Sequence, residues 1–214
     1  MNIKINIGCG RAPTNGWINM DNSLAIKLAN STFKYKVART LGLLNPKQIE
    51  NIEWNKLNKI QFADATKSFP FKDSSVECIY TSHMFEHLSQ HGAKIFLKEA
   101  YRVLKIAGIL RIAVPDLKIA IEGYLKSRDA DSFMKEILVE APPISSLKQK
   151  IILLMTGYRH HQWMYDGVSL SKLLKEIGFK EVEICKNGYT KMHNPGELNL
   201  NEREKVSVYV EGVK

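Results

Sequence analysis

Five short segments of this chain carry residues whose types and spacing could do chemistry. Gly8-Cys9-Gly10 directly follows Ile3-Lys4-Ile5-Asn6-Ile7, whose apolar–polar alternation reads as a strand. Glycines at the carboxyl end of a strand let the backbone approach a ligand closely and adopt positive φ, and they also serve plain strand-to-helix turns. Asp21 closes a second strand, Trp17–Asp21. A carboxylate there can take both hydroxyls of a ribose or cap the helix that follows. Asp64, in Phe62-Ala63-Asp64-Ala65, follows a third strand and can accept from the exocyclic amine of an adenine or cap a helix. His83-Met84-Phe85-Glu86-His87 matches the H-x-x-E-H pattern of some zinc peptidases. In that reading both histidines share one helix face and a third ligand must come from elsewhere. Finally, His160-His161-Gln162-Trp163-Met164-Tyr165-Asp166 is polar and aromatic-rich. Such a segment suits the wall of an acceptor pocket, or it fastens a preceding excursion of the chain back to the domain.

These groups need a scaffold that brings strand ends together. Further strands are predicted at Lys59–Phe62, Val76–Tyr80, Ile109–Val114, Val182–Cys185 and Lys205–Val210. Helical spacing runs from Ser23 to Leu44, where Pro46 breaks it, and from His91 to Leu104, where a basic turn and Gly108 stop it. A third helix spans Ser169–Ile177 and stops at Gly178. Strands alternating with helices imply βαβ units and a mostly parallel sheet, with ligands at the carboxyl ends of the strands. Asp21 lies 13 positions after Gly8, whereas a dinucleotide fingerprint has its acid about 20 residues on. The first connection therefore holds a very short helix or none. Residues 117–166 read as a lid-like insertion, since about 50 residues make a poor independent core, and the whole chain, 1–214, is expected to be one domain.

The succession Gly-x-Gly, acid, acid, each closing a successive strand, resembles the class I S-adenosylmethionine-dependent methyltransferases. The resemblance is carried by Asn6-Ile7-Gly8-Cys9-Gly10, Asp21, Phe62-Ala63-Asp64-Ala65, Phe69-Pro70-Phe71, Tyr80-Thr81-Ser82-His83, Glu86-His87-Leu88, and Glu99-Ala100-Tyr101-Arg102-Val103-Leu104 with Gly108. It covers roughly residues 3–116 and, more weakly, the last two strands. It implies an α/β, Rossmann-like, seven-stranded, mostly parallel sheet with one antiparallel edge hairpin and helices on both faces. It also implies S-adenosylmethionine as cofactor, bound by Asn6, Gly8, Cys9, Gly10, Asp21, Asp64, Ala65, Ser82 and His83. The Gly16–Asp21 connection and the His160–Asp166 segment resemble a bacterial branch often placed with surface-polysaccharide biosynthesis. Many members have an acid where Asn6 stands and a third glycine where this chain has Arg11-Ala12-Pro13. Close backbone approach at Gly8 and Gly10 survives these departures, which count against a nicotinamide dinucleotide. Family members carry Glu-His-Leu at positions 86–88, which explains the histidine motif without zinc, so no metal is expected.

Methyl transfer from a sulfonium is an in-line displacement, so the protein mainly positions the partners. A hydroxyl acceptor also needs a general base, and histidine suits that near neutral pH. The candidates are His161, then His83 and His160. Glu86 and His87 read as supporting or packing groups.

Bulk properties set the outer limits. The 214 residues carry a formal net charge of +9, with 44% hydrophobic and 25% charged residues, as in an ordinary globular protein. Seven cations against two acids between Asn22 and Lys59 favour anionic partners: a sugar or phosphorylated small molecule, a membrane surface touched peripherally, or RNA. A solvated helix face accounts for the same charges. No nucleic-acid-binding module is recognisable. Cys9, Cys78 and Cys185 are scattered and odd in number, which fits a reducing cytoplasm better than a disulfide framework or zinc site. The longest apolar run, Ile151–Met155, is far short of the roughly 20 residues of a membrane span. The favoured function is O-methylation of a sugar or other small anionic acceptor. RNA methylation, or a non-catalytic module binding the cofactor or a partner, are the alternatives. No feature of the sequence fixes an oligomeric state.

Overall fold

Seven strands form the sheet: β1 (Ile3–Ile7), β2 (Ile18–Asp21), β3 (Gln61–Phe62), β4 (Val76–Ser82), β5 (Leu104–Pro115), β6 (Lys180–Cys185) and β7 (Ser207–Val213). Their order is β3-β2-β1-β4-β5-β7-β6. β7 runs antiparallel to both neighbours, and all other pairs are parallel. The computed structural model describes residues 3–139 and 160–214. This is the mostly parallel α/β sheet that the strand pattern implied, with the antiparallel edge hairpin that the resemblance implied.

The interior follows from strand alternation. Ile5, Ile7, Ile79, Leu110 and Ile112 face one side of the sheet, where α4 (Gln90–Val103) and α7 (Gly167–Ile177) lay Phe96, Leu97, Ala100, Leu170 and Leu174 against them. Each large side chain buried there contributes about 2 kcal/mol. Phe96 meets Phe69 and Phe85 edge-on, at centroid distances of 5.8 and 5.6 Å. The opposite face bears Cys78, Tyr80 and Ile109, covered by Trp17, Met192 and Leu198. It also carries a fully buried ion pair. Arg111 on β5 and Glu211 on β7 are register partners, with Nη1 2.8 Å from Oε1. The Arg111 guanidinium also donates to the carbonyls of Tyr189 and Leu200, and Glu211 accepts from Thr190 and from the Lys191 amide. The loop between β6 and β7 therefore clasps that face through charge.

Three readings of the sequence are corrected. The single helix expected over Ser23–Leu44 is two, α1 (Leu24–Ala29) and α2 (Thr32–Thr40), because the Ser31 side chain accepts from the Lys34 amide and starts a new helix. Pro46 opens α3 (Pro46–Leu57) instead of ending a helix. Asn45 and Gln48 form a capping box around it, and proline lacks only an amide that the first turn leaves unpaired. Gly108 does not end α4, since β5 begins at once at Leu104. A Cβ at Gly108 would lie 2.8 Å from the Lys105 carbonyl and 3.1 Å from that of Glu77, so the bulge joining β4 and β5 demands the glycine.

The excursion after β5 holds α5 (Leu117–Ser127) and α6 (Ala130–Glu136). Its two ends meet at an Asp116–Tyr165 bridge, with the Leu117 amide 2.9 Å from the Tyr165 carbonyl. The Pro142-Pro143 break and the Ile151–Met155 run lie outside the described residues. No helix among the described residues is long and apolar enough to cross a membrane.

Candidate active site

The carboxyl ends of β1, β2, β3 and β4 border a cavity of about 1230 Å³. Its lining includes Gly8, Gly10, Asp21, Asp64, Ala65 and His83 from the residues singled out above. Residues 8–17 contain no helix, as the short spacing to Asp21 required. The connection is fastened internally: Asn19 exchanges hydrogen bonds with the backbone of Thr14, and the Asn6 amide donates to the Thr14 hydroxyl and the Ala12 carbonyl. Asn6 thus shapes the glycine loop from beneath and does not line the cavity. Cys9 is also turned inward, against Ile26 and Ile60. Burial, reinforced by the Asp21 carboxylate, pushes its thiol up to about 12.

The two glycines do different work. Both have positive φ, +74° at Gly8 and +52° at Gly10. A Cβ on Gly8 would stand 2.5 Å from the Met84 side chain, so this glycine lets the loop pack against the segment after β4. A Cβ on Gly10 would meet nothing within 4 Å, so this is the open backbone beside the cavity. The Asp21 carboxylate accepts from the Gly10 amide (3.1 Å) and the Ser23 amide (2.9 Å), holding the acid at the loop. Asp64 accepts from the Thr66 amide and hydroxyl and lies 3.6 Å from the Lys67 ammonium. Burial raises its pKa, but these partners outweigh that and hold the carboxyl below the usual range. The turn-capping geometry is thus realised at Asp64, on the cavity wall.

The H-x-x-E-H segment is not one helix. His83 adopts left-handed φ (+49°), and only Phe85–His87 forms a 3-10 turn. His83 is held by its amide to the Ala113 carbonyl (2.9 Å) and by Nε2 to the Ser207 hydroxyl (2.9 Å). Ser82, beside it, is buried and away from the cavity. The Glu86 carbonyl accepts from the amides of Gln162 and Trp163, and the Gln162 side chain donates to the His87 carbonyl. The backbone of residues 161–163 thus fastens the excursion, while its side chains fall beside the 83–87 turn. His161 is buried behind the cavity wall, its imidazole edge-on to that of His87 at 5.0 Å. Burial lowers the His161 pKa, partly opposed by the Glu86 carboxylate. His160 contributes its carbonyl, which accepts from His87 Nδ1 at 3.1 Å.

Sequence reasoning treated His87 as packing and passed over Gln162, yet both line the cavity. Arg11, named there only for departing from the family's glycine pattern, lines it too, as do Lys27 and Lys47 from the basic 22–59 stretch. Two polar histidine segments about 75 residues apart were the available signal, but only the fold shows that they meet.

The cavity fits S-adenosylmethionine: open backbone at Gly10, an acid held beside it at the second strand, and a polar turn at the third. A family model described as a methyltransferase domain matches residues 5–112. A search of curated protein sequences finds no match. Among solved structures, the chain is similar to an S-adenosylmethionine-dependent methyltransferase of Thermotoga maritima, named a possible histamine N-methyltransferase. The identity is 16% and the TM-score 0.51, over 100% of this chain and 83% of that one. It is also similar to a chain of the complex between the Haloferax volcanii Trm112 methyltransferase activator and a methyltransferase. There the identity is 12% and the TM-score 0.50, over 99% of this chain and 82% of that one. These likenesses bear on the fold, and the family match covers half of the chain: it belongs to the class I S-adenosylmethionine-dependent methyltransferases.

Proposed function

We propose that the enzyme methylates a hydroxyl of a small anionic acceptor, a sugar or phosphorylated sugar, in cytoplasmic polysaccharide biosynthesis. The observation that carries this reading is the make-up of the cavity wall. The cations Arg11, Lys27, Lys47 and Lys67 stand along it together with the imidazoles of His83 and His87. Fixed cations in a partly enclosed site favour anionic groups over neutral ones. When bound, S-adenosylmethionine supplies a methyl group already activated on its sulfonium, which leaves the protein to orient the acceptor and handle its proton. Asp21 and the Gly10 backbone hold the cofactor side. His83, locked to Ser207, and His87, locked to the His160 carbonyl, present imidazoles at fixed angles on the acceptor side. His161 acts from behind His87 as a positioning group. Three free, buried thiols agree with a reducing compartment.

Peripheral contact with an anionic lipid surface belongs to the same reading. Phe33 and Val37 on α2 and Leu41, which caps it, recur every fourth residue and are all exposed, Phe33 by 78%. Lys34, Lys36 and Arg39 lie among them.

The first test is calorimetric titration with S-adenosylmethionine and S-adenosylhomocysteine, beside an Asp21→Ala variant. Micromolar binding that the variant loses places the cofactor at the ends of β1 and β2. An acceptor screen with a labelled methyl group follows. Label appearing on RNA or on amines, with none on sugar hydroxyls, overturns the acceptor reading.

A further inference from the structure

The Glu86 carboxylate is 1% exposed, and neither of its oxygens meets a hydrogen-bond donor in good geometry among the described residues. Three imidazole nitrogens nonetheless surround one of them. His83 Nδ1 lies 3.5 Å, His161 Nε2 3.8 Å and His87 Nε2 3.9 Å from Glu86 Oε1. These are too long for hydrogen bonds and too convergent for an accidental packing. The tautomer of His87 sharpens the point. Its Nδ1 faces the His160 carbonyl, which can only accept, so Nδ1 carries a proton, and whenever the ring is neutral its Nε2 lone pair is aimed at the carboxylate. A lone pair facing a buried anion is repulsive unless a cation stands between them. A proton relieves one of the three contacts; a metal ion relieves two or three at once.

We propose that Glu86, His87 and His161 bind a first-row divalent metal ion, zinc in the first instance, at the wall of the cofactor cavity. One ligand atom from each lies within 4.8 Å of the other two. Two histidines and one carboxylate form the donor set of many catalytic zinc centres, and such centres leave a fourth position open. Tetrahedral bonds of roughly 2.0–2.1 Å put ligand atoms about 3.4 Å apart. The observed 3.8 and 3.9 Å therefore close by about half an ångström on binding, and the two histidine nitrogens, within 4.8 Å of each other, approach by up to about 1.4 Å, which takes rotation of the partly exposed His87 side chain. The outer ring nitrogen of His87 is already fixed by a backbone carbonyl, as metal-bound histidines commonly are. Glu86 and His161 are buried and His87 is 29% exposed on the cavity wall, so His87 is the ligand that connects the site with the cavity. A ligand oxygen entering there would complete the coordination. The site rests on this geometry alone, and an ion bound there would take His87 and His161 as its ligands in place of the acceptor-side roles given to them above. It revises the expectation that the histidine motif needs no metal, with a different donor set from the zinc-peptidase pattern: Glu86 takes the place of His83, and His161 comes from the far end of the excursion.

The test uses the full chain without a polyhistidine tag, stripped by a chelator and titrated with Zn²⁺ and Co²⁺ alone. We expect one equivalent bound per chain and the visible bands of four-coordinate Co²⁺. Glu86→Gln, His87→Ala and His161→Ala should each weaken binding at least tenfold, while His91→Ala, an exposed control on α4, should leave it unchanged. If the two buried variants fail to fold, His87→Ala decides, since that side chain is partly exposed. Absence of stoichiometric binding and of Co²⁺ bands, or binding that His87→Ala leaves intact, overturns the proposal.

Discussion

Gly8 and Gly10 look equivalent in the sequence, and the structure predicts opposite outcomes for the same substitution. Alanine at either position must hold left-handed φ, which costs about 1 kcal/mol for an L-residue. At Gly10 that is the whole structural cost, because a Cβ there meets nothing within 4 Å. At Gly8 the Cβ also falls 2.5 Å from Met84 Cβ and Cγ. Met84 Cβ is fixed to a backbone that leads straight into the Phe85–His87 turn, so relief requires the glycine loop and that turn to move apart. Overpacking of this kind adds about 1–3 kcal/mol, for a total near 2–4 kcal/mol. Gly8→Ala should therefore lose about that much in urea unfolding. Gly10→Ala should lose no more than about 1 kcal/mol, yet weaken S-adenosylmethionine binding tenfold or more by calorimetry, since its methyl enters the space the cofactor needs. Tenfold corresponds to about 1.4 kcal/mol of binding. A Gly8→Ala protein as stable as the parent would refute the close approach to Met84. A Gly10→Ala protein that binds the cofactor undiminished would refute the placement of the cofactor on this loop.

Three further outcomes follow from other parts of the molecule. Arg111→Met should cost about 3–5 kcal/mol in chemical denaturation, because it leaves the Glu211 carboxylate buried with only Thr190 and the Lys191 amide as partners; Arg111→Met with Glu211→Leu should recover much of that loss. Hydrogen bonds from Arg102, the Phe69 amide and Ser68 hold the Glu99 carboxyl at about 2. A depressed carboxyl contributes its full stability above the unfolded value near 4.5 and loses it as pH falls toward 2, so Glu99→Gln should be less stable near neutrality and show a flatter stability decline across that window. Sedimentation with vesicles should show the chain binding anionic but not neutral lipid, and Phe33→Glu with Val37→Glu should abolish it; equal binding to both lipids, or none to either, contradicts the peripheral contact.

Much of the fold was legible because it rests on local patterns. Strand alternation and the Gly-x-Gly, acid, acid order are set over a few residues, and each of the seven strands overlaps the segment where that pattern placed it, with β5 starting five residues early at Leu104. The errors arose where one residue type serves two purposes. Pro46 terminates a helix or opens one, and the choice fell to Asn45 and Gln48 capping it. Gly108 follows a helix or relieves a bulge, and the choice fell to the Glu77 carbonyl on the neighbouring strand. The candidate site divides along the same line. Gly10, Asp21 and Asp64 are placed by the strand each one follows, so chain order alone locates them. The histidine cluster is placed by closure of a long excursion, through the amides of Gln162 and Trp163 on one carbonyl of Glu86. No spacing rule specifies that contact. It also explains why the two readings of the His160–Asp166 segment were never exclusive. The backbone that ties the excursion down is what carries His161 to Glu86, and a chain that loosened this tie would lose the imidazole cluster together with the fastening.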